Sequence, residues 1–198
     1  MSEVRPLPEQ LGQSFDQVLT AARTGAGWAA ERLWHSLAPA VAGYLRVQGA
    51  AEPDDLTSEV FIGVFRSLAQ FSGTEEQFRS WVFTIAHRRL IDERRRAARR
   101  PRLALLPADV ADDGMGTAGS TGSAEHAAIE RLGSERVRRL CERLVPDQCD
   151  VLLLRLLGGL TVTEVATALD KSDGAVKALQ RRGVLALRRI LDEEGVPL

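Results

Sequence analysis

The sequence predicts an all-α protein of two helical domains joined by a flexible linker. Leu, Ala and Arg are abundant while aromatic residues make up only 5 %, a mix that favours helices over sheets. Apolar residues recur at helical spacing in both halves of the chain, and no stretch alternates with period two for long enough to suggest a strand. Between the halves, residues 101–124 (PRLALLPADVADDGMGTAGSTGSA) are rich in Pro, Gly, Ser, Thr and Asp and hold no period, which reads as a linker. The 198 residues, 44 % of them apolar, suffice for the cores of one or two small domains. The expected boundaries are a tail over 1–14, a first domain over 15–100, the linker over 101–124 and a second domain over 125–198.

In the first domain, Leu33, Leu37, Val41 and Leu45 give an amphipathic helix over 28–47, ended by Gly49. Pro53-Asp54-Asp55 reads as the next helix start. Its stripe is Leu56, Val60, Val64 and Leu68, widened by Phe61 and Phe65. Phe71-Ser72-Gly73 breaks that helix, and Thr74 with Gln77 fits a capping box opening a third. Phe78, Val82 and Ile85 mark its core face, joined by Trp81 and Leu90. Phe83 falls off this stripe and is expected to be an exposed ring. After Ile91 only alanines are apolar, so the last two turns must meet solvent or a ligand.

In the second domain, Ile129, Leu132, Val137, Leu140 and Leu144 keep helical spacing. Pro146 suits the first turn of another helix, and Gly158-Gly159 ends it. Thr161 with Glu164 forms a second capping box, on a helix carrying Val165, Ala166 and Leu169. Asp170-Lys171 makes a short polar turn, Ser172 is a natural N-cap, and the last helix runs through Val176, Leu179 and Leu187. Residues 160–183 thus have the order of a helix-turn-helix, with a small residue at the expected crossing (Ala166) and a basic second helix.

The formal net charge of −1 conceals strong separation. Eight arginines lie between Arg88 and Arg102, opposed locally by Asp92 and Glu93. A second basic group holds Lys171, Lys177, Arg181, Arg182, Arg188 and Arg189, while Asp54, Asp55 and Glu59, then Asp109, Asp112 and Asp113, are acidic. Such patches suggest a polyanion on one surface and a different partner on another. Crowded arginines are relieved by phosphates, and rings beside them suit unpaired bases. The sequence shows no clustered carboxylates, nucleophile–base set or phosphate loop, so no catalytic residue, cofactor or enzyme activity is expected. His35, His87 and His126 are not at metal-ligand spacing with Cys141 and Cys149, so no metal is expected, and the cysteines read as packed thiols. No apolar run approaches the roughly 20 residues of a membrane span, and the N-terminus lacks a signal pattern. A cytoplasmic protein without membrane insertion is therefore expected.

The succession DDLTSEVFIGVFRSLAQF, FRSWVFTIAHRRLIDERRR, linker and LTVTEVATALDKSDGAVKALQRRGVLALRRIL resembles a sigma-70 family factor of the extracytoplasmic-function (ECF) type. The resemblance covers roughly residues 15–100 and 125–193. It implies a sigma-2 and a sigma-4 domain, binding to core RNA polymerase, and recognition of promoter DNA, single-stranded at the −10 element and duplex at −35. It also implies that a flipped base of the −10 element is captured, and that an anti-sigma factor is a frequent further partner. By the resemblance, Asp55, Leu56, Ser58, Glu59 and Phe61 match the helix that grips the polymerase. Phe71, Ser72, Gly73, Thr74, Phe78 and Arg79 match the loop and helix start that hold the flipped base. Trp81, Thr84, His87, Arg88, Asp92, Arg95 and Arg96 match the helix beside −10 DNA. Ser172, Gly174, Ala175, Lys177, Gln180, Arg181 and Arg182 match the −35 recognition helix. Asp170 stands where many members have Gly, and Leu179-Gln180 replaces a more frequent Arg-Leu pair. Asp109, Asp112 and Asp113 are expected to mimic nucleic-acid charge in a basic channel.

Two promoter elements one and a half turns apart lie roughly 50–60 Å from each other on B-DNA. As a relaxed coil the linker spans roughly 27 Å, and fully extended roughly 80 Å. The free domains are therefore expected to be mobile or folded on each other, and to be drawn apart by the polymerase. A stand-alone regulator using its helix-turn-helix is the competing reading. It would need a sensor or dimerisation domain in place of the arginine-rich aromatic helix.

Overall fold

The computed structural model describes residues 15–99, 133 and 135–195. The expected tail, the linker with its three aspartates, Arg100, Arg102, His126, Ile129 and Leu132 lie outside the described residues.

The first block packs α1 (Phe15–Arg23), α2 (Gly27–Val47), α3 (Pro53–Ser67) and α4 (Glu75–Arg99), with a single 3-10 turn at Leu68–Gln70 before the loop that enters α4. Helix α1 has no counterpart among the sequence expectations, although Phe15, Val18, Leu19 and Ala22 keep a short helical stripe. Phe15, Val18 and Leu19 are buried, and the Phe15 ring lies 5.6 Å from that of Phe78. A Schellman turn ends α2. Ala50 N donates to Leu45 O (3.0 Å) and Gly49 N to Arg46 O (3.1 Å), with Gly49 at φ +76°. Helix α3 begins with Pro53 in its first turn and buries Leu56, Val60, Phe61 and Val64. The Thr74–Gln77 capping box forms, since Thr74 N donates to Gln77 Oε1 (2.9 Å) and Gln77 N to Thr74 Oγ1 (3.4 Å).

The second block contains α5 (135–142), α6 (Pro146–Leu156), α7 (Val162–Leu169) and α8 (Asp173–Glu193). Its core is Leu144, Val151, Leu153, Leu154, Leu160, Val165, Val176 and Ile190. Gly183 lets α8 approach α6 closely: a Cβ there would stand 3.0 Å from Leu152 Cδ1. The Thr161–Glu164 capping box is complete, and Ser172 accepts from Ala175 N to start α8. Lys171 Nζ meets Asp147 at 2.8 Å, and Arg143 reaches Glu193 (2.5 Å) and Glu194 (3.0 Å), tying the helix-turn-helix and the end of α8 to the preceding helices.

Asp170 occupies the left-handed region at φ 52°, ψ 50°, and Lys171 N closes the turn onto Ala166 O at 2.9 Å. The turn therefore keeps the geometry a glycine would supply, because aspartate is among the few non-glycine residues that enter this region at modest cost. Asp170→Gly is expected to raise the unfolding free energy by up to about 1 kcal/mol and Asp170→Val to lower it by a similar amount or more. Urea titration followed by circular dichroism checks both; equal midpoints for the three proteins would show that the turn is unstrained.

Candidate nucleic-acid interface

Helix α4 is the centre of the first block. Its 25 residues bury Phe78, Arg79, Ser80, Val82, Phe83, Ala86, His87 and Leu90. That set covers more than the single stripe expected from Phe78, Val82 and Ile85. Phe83 is a correction: it is fully buried, its ring 5.7 Å from Tyr44 in an edge arrangement. The reason is that α4 has neighbours on two sides. One side rests on the first block, and the other receives the Gly158–Leu160 turn of the second. A Cβ on Gly158 would stand 3.1 Å from Phe83 Cγ, and one on Gly159 would stand 3.7 Å from Arg79 Cδ and Nη1. The Arg79 side chain is consequently buried beneath this turn.

A polar chain fixes the same seat. The Tyr44 hydroxyl and His87 Nδ1 are 2.8 Å apart and buried. Arg94 Nη2 donates to Gln48 O (2.5 Å) and to Gln48 Oε1 (3.0 Å), while Gln48 Nε2 donates to Asp150 Oδ1 of the second block. Desolvation holds His87 below its ordinary value; Asp150 pulls it up and Arg94 pushes it down. Desolvation likewise raises Tyr44 far above the phenol range, reinforced by Asp150. The phenol and the imidazole are therefore both held neutral and share one hydrogen bond.

Beyond His87 the helix changes role. Arg88, Asp92, Arg94, Arg95, Arg96 and Arg99 are exposed, with Asp92 only 3.9 Å from Arg95. At the other end, Phe71 stacks on Trp81 (5.0 Å, 24°) and meets Phe78 edge-on (5.3 Å), forming a half-open aromatic corner. Arg23 Nη2 donates to Phe71 O, which pins the loop. Ser72 and Thr74 are exposed there, while Gly73, Trp81 and Thr84 are half-buried and Thr84 Oγ1 donates to Ser80 O (2.8 Å). The −10 set therefore divides. Phe78, Arg79 and His87 are inside, and Ser72, Thr74, Arg88, Asp92, Arg95 and Arg96 are outside.

The first half of α8 presents Ser172, Gly174, Lys177, Arg181 and Arg182 to solvent, with Ala175 and Gln180 half-buried beside them. All seven residues of the −35 set thus lie on or beside one accessible helix N-terminus. Asp173, which would repel phosphate, instead accepts from Thr163 Oγ1 at 2.9 Å. On α3, Asp55, Ser58 and Glu59 are exposed, whereas Leu56 and Phe61 face the core, Phe61 with its ring 4.7 Å from Trp34. Ile62 is half exposed and continues the stripe of Asp55, Ser58 and Glu59. It was not singled out from the sequence, although its place four residues beyond Ser58 and three beyond Glu59 is a readable signal. Among the described residues no group of His, Cys, Asp and Glu could hold a metal, and no helix is long and apolar enough to cross a membrane.

A family model of sigma-70 region 2 matches residues 33–100, and one of sigma-70 region 4 matches residues 140–189. The ECF RNA polymerase sigma factor BldN of Streptomyces coelicolor is 31 % identical over 192 residues, 96 % of this chain and 70 % of that protein. The ECF RNA polymerase sigma factor SigD of Mycobacterium tuberculosis is 29 % identical over 197 residues, 96 % of this chain and 89 % of that protein. Among solved structures, CnrH in complex with the cytosolic domain of CnrY has a similar fold, with a TM-score of 0.63 at 22 % identity, over 91 % of this chain and 99 % of CnrH.

The buried His87 has a pH consequence. Its folded value lies below the ordinary 6.5, so as pH falls past that value the unfolded chain takes up the proton first. The stability that neutral His87 contributes is present above about pH 6.5 and is lost below it. Between pH 7 and 5 the urea midpoint is expected to fall more steeply for the wild type than for His87→Gln. Parallel slopes would show that His87 titrates without hindrance.

Proposed function

We propose a division of labour for this chain, which belongs to the ECF group of the sigma-70 family of RNA polymerase sigma factors. Such proteins are transcription initiation factors rather than enzymes; they join core RNA polymerase and direct it to promoters. Residues 15–100 serve as sigma-2 and residues 125–198 as sigma-4, tethered by 101–124, and the protein works in the cytoplasm beside the polymerase. The observation that carries the assignment is the sorting of charge. Acid and Ile62 are exposed on α3, arginine on the far end of α4, and lysine and arginine on the open end of α8.

In this reading Asp55, Ser58, Glu59 and Ile62 meet the polymerase, and Leu56 and Phe61 hold their helix in place from within. Arg88, Arg95 and Arg96 neutralise −10 phosphates. The corner of Phe71, Trp81, Ser72, Gly73 and Thr74 receives the flipped base on the face of Trp81 that Phe71 leaves free. Gly174 and Ala175 let the backbone approach the −35 duplex, and Lys177, Gln180, Arg181 and Arg182 contact it. Arg79 and His87 become available to DNA only after the second block leaves α4. Control by an anti-sigma factor fits the same surfaces. CnrH, whose fold is similar, is held by the cytosolic domain of another protein.

Run-off transcription by core polymerase with this protein on a genomic fragment library, with start sites mapped, tests the reading. A shared pair of upstream elements is the expected outcome. Strong sequence-specific binding to duplex DNA by the protein alone, with no new start sites, would favour a stand-alone regulator. On the promoters so found, Arg95→Ala and Arg181→Ala should each weaken holoenzyme binding. Each should also lower the slope of log affinity against log salt by about 1. Unchanged slopes would remove these two residues from the DNA contacts.

A further inference from the structure

The first half of α8 carries one acid among its bases. Asp173 is the only acidic residue between Ser172 and Asp192, and Lys177, Arg181 and Arg182 share that half of the helix with it. It is exposed in the first turn, beside the small residues Gly174 and Ala175. Its carboxylate is not used for the pairings usual on a helix surface. Among the described residues it forms no ion pair, although Lys177 stands one turn along. Ser172, not Asp173, accepts from Ala175 N. Asp173 reaches instead across the turn to α7, where Thr163 Oγ1 donates to Asp173 Oδ2 at 2.9 Å.

Thr163 is itself fixed. It sits in the first turn of α7, which the Thr161–Glu164 capping box holds, and Thr163 O accepts from Thr167 Oγ1 at 3.0 Å. The turn between the helices is tied down by Lys171, through its N to Ala166 O (2.9 Å) and its Nζ to Asp147 (2.8 Å). One oxygen of the Asp173 carboxylate is thus committed to a rigid neighbour. The other, Oδ1, has no partner among the described residues.

We propose, resting on the reading of α8 as the helix that enters the −35 duplex, that Asp173 is a specificity-determining residue for cytosine. Thr163 holds it so that Oδ1 accepts a hydrogen bond from the N4 amino group of a cytosine in the major groove. A carboxylate offers acceptors only. Cytosine presents a donor in the major groove, whereas thymine presents the O4 acceptor and guanine the O6 and N7 acceptors. Asp173 therefore attracts C and repels T and G at the base it faces. Adenine carries an amino donor too, but its N7 acceptor faces the same carboxylate, so it ranks below cytosine. Phosphates repel Asp173, so the lysine and arginines further along α8 hold the backbone while Asp173 is left to the base edges. Thr163 is a positioning residue, without which the carboxylate is free to turn to Lys177.

Core polymerase carrying the full-length protein is given duplexes of a promoter mapped for the wild type, with the −35 element randomised, and the bound sequences are counted. The wild type is expected to favour C·G over T·A roughly tenfold at one position. Asp173→Ala should level that position and leave the others as they were. Asp173→Asn, which keeps the shape of the side chain and adds an amide donor, should move the preference there away from C. Thr163→Val should weaken the same preference alone, and Thr163→Ser, which keeps the hydroxyl, should retain it. A −35 preference that lacks such a cytosine, a cytosine preference that survives both Asp173 variants, or a loss spread evenly over all positions would overturn the role of Asp173 while leaving α8 as the −35 helix. Thr163→Val matching the wild type would overturn the positioning role. A wild type that selects no −35 sequence would overturn the reading of α8 itself, and the role of Asp173 with it.

Discussion

The structure depends on the double burial of α4. A helix with one neighbour shows one apolar stripe, whereas α4 is clamped from two directions. Phe78, Val82 and Leu90 pack within the first block. Phe83, Arg79 and His87 lie where the second block settles. Two glycines make that settling possible. Any side chain at Gly158 would run into Leu160 Cδ1 at 2.5 Å and Leu154 O at 2.7 Å, besides pressing on Phe83. The polar groups in the seat are satisfied in sequence, from exposed Arg94 to half-buried Gln48 and Asp150, and from buried Tyr44 to buried His87. The seat is therefore specific as well as apolar, since each of these groups would carry a desolvation cost if left without a partner.

Function follows from what the clamp leaves free. The first half of α8 keeps its basic residues exposed, and Arg95, Arg96 and Arg99 of α4 remain in solvent. The first half of α4, where the proposed −10 contacts need access, is partly covered by the domain proposed to read −35. Promoter elements roughly 50–60 Å apart could not both be engaged while the Gly158–Leu160 turn rests on Arg79 and Phe83. In this account, binding to the polymerase supplies the free energy that separates the domains, so that the free protein is a poor reader of promoters by itself.

What could be read from the sequence was local. Thr74 with Gln77, Thr161 with Glu164, and Ser172 act within one helical turn, and all three caps form as their spacing demands. The helix-turn-helix was legible for the same reason, and so was the bare arginine end of α4, because nothing apolar follows Ile91. Phe83 was misread because a helix packed on two sides hides residues that one stripe cannot explain. Helix α1 was missed because nine residues give barely two turns of pattern. The seat of Asp150 on Gln48 and the Tyr44–His87 pair join positions far apart in the chain, and no spacing rule reaches that far. Of the candidate site, exposure sorted the expected residues: Leu56, Phe61 and Phe78 keep the apolar character that made them core candidates as well, while Arg79 and His87 are buried by tertiary contacts alone.

The account rests on the claim that the two domains are seated on each other when free and separated on the polymerase. Energy transfer between fluorophores placed through non-natural amino acids at the exposed positions of Arg32 and Arg188 measures this directly. High transfer in the free protein that collapses on adding core polymerase is the predicted result. Low transfer in the free protein, or transfer that the polymerase leaves unchanged, would contradict it.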